Sequence, residues 1–87
     1  MTNLVAQYIG IVTASGTLAE ALRVMNSTLG TGYIHSRLRE WERGDRVPSP
    51  PVVNYMLDIV VPVLLHREGI SDENAAVIRD ACRLPVK

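Results

Sequence analysis

The sequence predicts an all-α fold of five to six short helices, and three observations carry that expectation. Apolar residues recur at helical spacing through most of the 87 residues. Glycines, prolines and small polar residues interrupt that pattern where helices would end and restart. No internal repeat or low-complexity linker divides the chain, so residues 1–87 are expected to form one small domain.

Leu4, Val5, Tyr8, Ile9 and Val12 place a first helix over about Asn3 to Thr13. Thr13-Ala-Ser-Gly16 breaks it, and Thr13 or Ser15 is available to cap the next helix. Leu18, Leu22, Met25 and Leu29 give the second helix one apolar face, while Ala19 and Ala21 allow close packing. Gly30-Thr-Gly32 favours a turn. A third helix starts near Tyr33 or Ile34 and runs to Gly44, a residue suited to the left-handed position that ends helices.

After a short link from Asp45 to Val47, Ser49 is a suitable N-cap and Pro50 a suitable first helical residue. From Val52 to Leu65 the chain is apolar on most sides, with Asn54, Asp58 and His66 on one narrow polar stripe. Pro62 has no N–H to donate to the Asp58 carbonyl. A break or kink is therefore expected, with helices at about 50–60 and 62–68; the β-branched Ile59-Val60-Val61 makes a short strand the alternative. Gly69 ends this segment, and Ser71 caps a last helix with Asp72 and Glu73 in its first turn. Ala75, Ile78 and Cys82 share one side of that helix, where Cys82 reads as a packing residue, and Leu84 and Pro85 end it.

Composition narrows the function. Nine basic and nine acidic residues cancel, so any polyanion site must be local. A single cysteine excludes an intrachain disulfide and makes a reducing compartment the default. The first residues lack the basic region of a secretory signal, and Asn54 and Asp58 interrupt the best apolar run well short of the roughly 18 residues of a membrane span. A cytoplasmic protein without membrane contact is expected. Enzyme chemistry is not: Cys82 has no nearby histidine, and Glu40 and Glu42 point apart on a helix. His66 with Glu68 is no zinc pattern, and Gly30-Thr-Gly32 lacks the Gly-Lys-Ser/Thr of a phosphate loop. No cofactor and no metal are implied.

The densest chemistry lies in Tyr33-Ile-His-Ser-Arg-Leu-Arg-Glu-Trp-Glu-Arg-Gly44 and the Asp-Arg-Val-Pro48 that follows. At about 100° per residue, Ile34, Leu38 and Trp41 form a tight apolar stripe. Ser36, Arg39 and Arg43 fall on the opposite side, with His35 and Glu40 between. Arg37 flanks the stripe, where its stem lies on apolar surface and its guanidinium reaches outward. One reading is a solvated face, with Glu40 and Arg43 partly neutralising each other. The other is a recognition helix, since a helix fits the DNA major groove and arginine bonds guanine O6 and N7 with two parallel hydrogen bonds. Gly-Thr-Gly would also leave backbone N–H groups at the helix start for a phosphate.

Leu38-Arg-Glu-Trp-Glu-Arg-Gly44, followed by Arg46 and Pro48, resembles the end of the recognition helix in Cro- and repressor-type helix-turn-helix regulators, the XRE-like family. Leu18-Ala-Glu-Ala-Leu22 resembles the first motif helix of that family. The resemblance spans residues from about 8 to 60; its Trp-Glu-Arg-Gly-x-Arg-x-Pro segment is moderately specific, and Leu-Ala is weak alone. It implies base-reading positions at His35, Ser36 and Glu40, with Arg39 adjacent, and phosphate contacts from Arg43 and Arg46. Arg37 is grouped with these as a DNA-binding candidate. Glu42, near the core edge, is expected to be a structural hydrogen-bond partner.

One departure concerns the connection. A typical motif joins its helices with ~3–4 residues. Leu22 to Ile34 spans far more, so either the second helix continues to Leu29 or the turn carries an insertion. Thr28 and Thr31 there are weaker candidates for phosphate contact. The expectation is thus a Cro/repressor-like helix-turn-helix domain with a lengthened connection between the motif helices. Its function would be that of a transcriptional regulator of repressor type, reading double-stranded DNA as a homodimer on a palindromic operator. Residues 50–87 would contribute to dimerisation. The rival is a helical protein-interaction module or antitoxin-like subunit using the apolar 52–65 surface for a protein partner.

Overall fold

Four of the five helices start after a small polar side chain in a computed structural model that describes residues 3–85. Asn3 Oδ1 accepts the Ala6 N–H at 2.8 Å and starts α1, Leu4–Ser15. Thr17 Oγ1 accepts the Glu20 N–H at 3.1 Å and starts α2, Leu18–Leu29. Helix α3, His35–Arg43, begins at Ile34 without a side-chain cap. Helix α4, Pro50–Arg67, follows Ser49, whose hydroxyl makes no cap bond, and opens on Pro50 and Pro51, which have no N–H to satisfy in the first turn. Ser71 Oγ accepts the Asn74 N–H at 3.3 Å and starts α5, Asp72–Cys82. The fold is all-α with five helices, α2 and α3 forming a helix-turn-helix-like pair, and no strand forms among the described residues.

Two boundaries differ from expectation. Helix α1 runs two residues past Thr13, whose hydroxyl donates back to the Ile9 carbonyl at 2.7 Å instead of capping α2. The cap is Thr17, and Thr17-Leu-Ala-Glu20 has the spacing of a capping box. Only half of that box forms. The Glu20 carboxylate turns to Arg23, whose guanidinium, by hydrogen bond and by charge, holds it below the usual carboxylate range.

The chain divides into two compact units, Met1–Pro48 and Ser49–Lys87. The first contains α1, α2 and α3, each in contact with the other two. Val5, Tyr8, Ile9, Leu22, Met25, Leu38 and Trp41 are its buried residues, drawn from all three helices. Burying side chains of this size stabilises by about 1.5–3 kcal/mol each before entropy is set against it. Asn3 also ties the first helix to the third: its Nδ2 donates to the Glu42 carbonyl at 2.9 Å, so the residue that starts α1 also holds the last turn of α3.

In the second unit α4 is one continuous helix of 18 residues, not two. Pro62 forfeits one hydrogen bond, yet its fixed φ is itself helical, and the chain stays helical on both sides. Ile59-Val60-Val61 is therefore helix rather than strand, with Val60 buried. Two of the three residues of the polar stripe, Asn54 and Asp58, hold the end of α5. Asn54 is buried, and its amide brackets the backbone of Leu84, donating to the carbonyl at 2.8 Å and accepting the N–H at 2.7 Å. Asp58, one turn on, accepts from Arg83 Nη1 at 2.6 Å and lies 3.5 Å from Arg79 Nε. The stripe thus fastens the end of α5 to α4. Of the side expected to pack, only Ala75 is buried; Ile78 is 40% exposed and Cys82 is exposed. The fastening through Arg79, Arg83 and Leu84 orients α5 so that its own apolar stripe is not the main contact.

Asn54→Ala removes both bonds between this buried amide and the backbone of Leu84. The expected loss is about 1–3 kcal/mol, read by denaturant unfolding followed by circular dichroism. A loss under about 0.5 kcal/mol would show that the bracket carries no stability.

Candidate nucleic-acid interface

The direction in which α3 faces is set by one side chain on α2. Asn26 Nδ2 donates to the Tyr33 carbonyl at 2.9 Å, and its Oδ1 accepts the Tyr33 N–H and the Thr31 hydroxyl, both at 2.9 Å. Its backbone carbonyl accepts the N–H of Gly30 and, at 3.0 Å, that of Thr31. Gly30 sits in the left-handed region at φ 68°, ψ 35°, which turns the chain out of α2. Helix α2 does continue to Leu29, and the link to α3 is residues 30–34. No insertion is needed: the extra length is helix, and Asn26 organises what remains. Thr31 is occupied in this clamp.

Past the clamp, Tyr33 meets Trp41 edge to face, ring centroids 4.8 Å apart at 72°. Leu38 and Trp41 are buried as the helical spacing predicts. Ile34 is not: it is the N-cap residue, extended at φ −118°, ψ 169°, and 64% exposed. The wheel fails there because it extends helical geometry to a residue outside the helix, and Tyr33 takes the expected place beside Trp41. At the other end Gly44, at φ 83°, ψ 10°, stops α3 and donates to the Glu40 and Trp41 carbonyls. The next two N–H groups, of Asp45 and Arg46, also turn back to the Glu40 carbonyl.

This scaffold leaves His35, Ser36, Arg39 and Arg43 exposed on α3 and Arg46 exposed just after it, while Arg37 and Glu40 are half-buried. The arginines do not stand alone. Arg39 Nη1 lies 2.9 Å from Glu42 Oε1, and Arg43 Nε donates to Asp45 Oδ2 at 2.9 Å. Glu40 Oε2 is shared between Arg46 Nε at 2.5 Å and Arg37 Nε at 3.8 Å. The expected partial neutralisation of Arg43 by Glu40 is replaced by this arrangement, because Gly44 turns Asp45 back beneath Arg43 and brings Arg46 to Glu40. Glu42 is a structural partner as its position implies, through its carboxylate to Arg39 and its carbonyl to Asn3.

Sequence reasoning missed Asn26, Tyr33 and Asp45. The signal for Asn26 was present: a weak helix former in the last turn, four residues before a glycine. Elsewhere, a shallow cleft at the α4–α5 turn is lined by His66, Gly69, Ile70, Ser71 and Asp72. Among the described residues no group of three or more His, Cys, Asp and Glu side chains is placed to hold a metal, and no helix is long and apolar enough to cross a membrane. Comparisons with protein-family models, curated proteins and solved structures returned no match.

Asn26→Ala strips three side-chain hydrogen bonds from the link and is expected to cost about 2–3 kcal/mol in an unfolding titration. Asn26→Asp keeps the acceptor and loses the donor to Tyr33, so its cost should be smaller; equal costs would place the clamp's worth elsewhere.

Proposed function

We propose that this chain is a sequence-specific double-stranded DNA-binding regulator of the Cro/repressor-like type. In this reading α3 enters the major groove, and two copies read the half-sites of a palindromic operator. The observation that carries the reading is the two-sided character of α3. Leu38 and Trp41 are buried, while His35, Ser36, Arg39 and Arg43 face solvent on a helix of nine residues stopped by a glycine. The resemblance of Leu38 to Pro48 to that family's recognition helix supports it. So does the start of α3, with neither a side-chain cap nor an acidic residue in its first turn, where a phosphate oxygen would be favoured.

In this reading Ser36 and Arg39 meet base edges, His35 lies at the entry to the groove, and Arg43 and Arg46 hold phosphates. Arg37, half-buried along its stem, approaches the backbone from the flank. Glu40, with His35 and Ser36, is one of the three base-reading positions that the resemblance implies. Each guanidinium has five N–H donors, so a single carboxylate contact leaves donors for a base or a phosphate. Dimerisation would place two recognition helices about 34 Å apart. The second unit is the proposed source of that contact.

A second reading rests on α4, where Ile59, Val61, Val63, Leu64 and Leu65 are only partly covered. There the chain is a helical interaction module or antitoxin-like subunit whose protein partner takes this surface, consistent with zero net charge. An autoregulatory antitoxin would satisfy both readings.

Selection of duplexes from a random pool tests the first reading directly, and failure to enrich any sequence at moderate salt refutes it. Arg39→Ala is expected to weaken binding and relax base preference. Arg43→Ala should weaken all sequences alike and reduce the salt slope by about one; equal changes in sequence preference from the two would overturn this division of roles. Leu64→Asp should abolish self-association in sedimentation if α4 forms the dimer. Loss of a heterologous partner with DNA binding intact favours the second reading.

A further inference from the structure

The arginines and carboxylates around α3 form a nearly closed set. Arg37, Arg39, Arg43 and Arg46 face Glu40, Glu42 and Asp45, which leaves the stretch with a net charge of +1. Each of the four guanidiniums has a carboxylate oxygen within 3.8 Å, and three have one within 2.9 Å. From this we infer that Glu42 and Asp45 act as internal competitors of phosphate and set how strongly the protein discriminates its preferred duplex from any other. This role rests on the DNA-binding reading above and goes beyond it, since neither residue is assigned a role at the DNA there.

The effect turns on what happens to each partner when an arginine swings to DNA. Opening an exposed pair is easy: such pairs are worth about 0–1 kcal/mol, and Arg39, Arg43, Glu42 and Asp45 all keep solvent access. The cost appears afterwards. A freed carboxylate stays within a few ångströms of the duplex and is repelled by phosphates on both strands. Against a backbone contact alone it has nothing to accept from. Against a sequence that presents an exocyclic amino group in the major groove, of cytosine or adenine, it has a donor. Non-specific binding therefore meets the full repulsion and the preferred sequence meets less of it. Arginines without these carboxylates would hold any duplex.

Full-length Glu42→Gln and Asp45→Asn test this, with Glu73→Gln on α5 as the same charge change elsewhere. Affinity is measured for a random-sequence duplex and for the duplex selected by the wild-type protein, between about 50 and 200 mM salt, with helicity checked by circular dichroism. For each of the two variants, random-duplex affinity should rise about five- to tenfold and its salt slope steepen by about one. The selected duplex should gain less, so the ratio between the two falls. Unchanged random-duplex affinity, an equal gain on both duplexes, or the same gain from Glu73→Gln would overturn the inference while leaving DNA binding in place. If neither the wild-type protein nor any variant binds a duplex at low salt, both readings fall together.

Discussion

The amide of Asn26 is the constraint on which the first unit depends. Helix α2 must stop, the chain must turn, and α3 must restart with Leu38 and Trp41 inward and its arginines outward. A turn of this length carries backbone groups that no helix satisfies. Asn26 satisfies both polar groups of Tyr33 and the hydroxyl of Thr31 from a position still inside α2. The local clamp also sets a tertiary contact, because fixing Tyr33 presents its ring to Trp41. Asn3 plays the same part at the other end of α3 through the Glu42 carbonyl. Two asparagine amides thus hold the two ends of the helix with the densest surface chemistry.

The second unit uses a third amide in the same way. Asn54 brackets Leu84 while Asp58 gathers Arg79 and Arg83, so polar side chains in an apolar helix orient its neighbour. Apolar contact alone is tolerant of sliding; a donor and an acceptor on one amide are not. Across both units, burial provides the drive to fold and single asparagines provide the register.

Much of this architecture is legible in the sequence. Helices α1, α2, α3 and α5, the glycine stops at Gly30, Gly44 and Gly69, the cap at Ser71 and the inward placement of Leu38 and Trp41 follow from spacing and local chemistry, which act over a few residues. What escapes depends on partners distant in the chain. The function of Asn54 requires Leu84, thirty residues away, and that of Asn3 requires Glu42. Pro62 reads as a break because its missing N–H is a local fact, whereas the continuity of α4 rests on the whole helix. At the candidate interface, the exposed positions of Ser36, Arg39 and Arg43 are readable from a wheel. The pairing of Arg43 with Asp45 and of Arg46 with Glu40 is not, because it depends on how Gly44 folds Asp45 and Arg46 back toward the helix.

The edge-to-face contact between Tyr33 and Trp41 has a practical consequence. Trp41 is the sole tryptophan of the chain and lies in the first unit, buried against the residue that Asn26 fixes. Its indole emission therefore reports on the clamped link and its surroundings in the first unit, while far-ultraviolet ellipticity sums the helices of both units. The two signals, followed through one melt, distinguish a chain that opens in a single step from one whose units come apart in turn, with no label added.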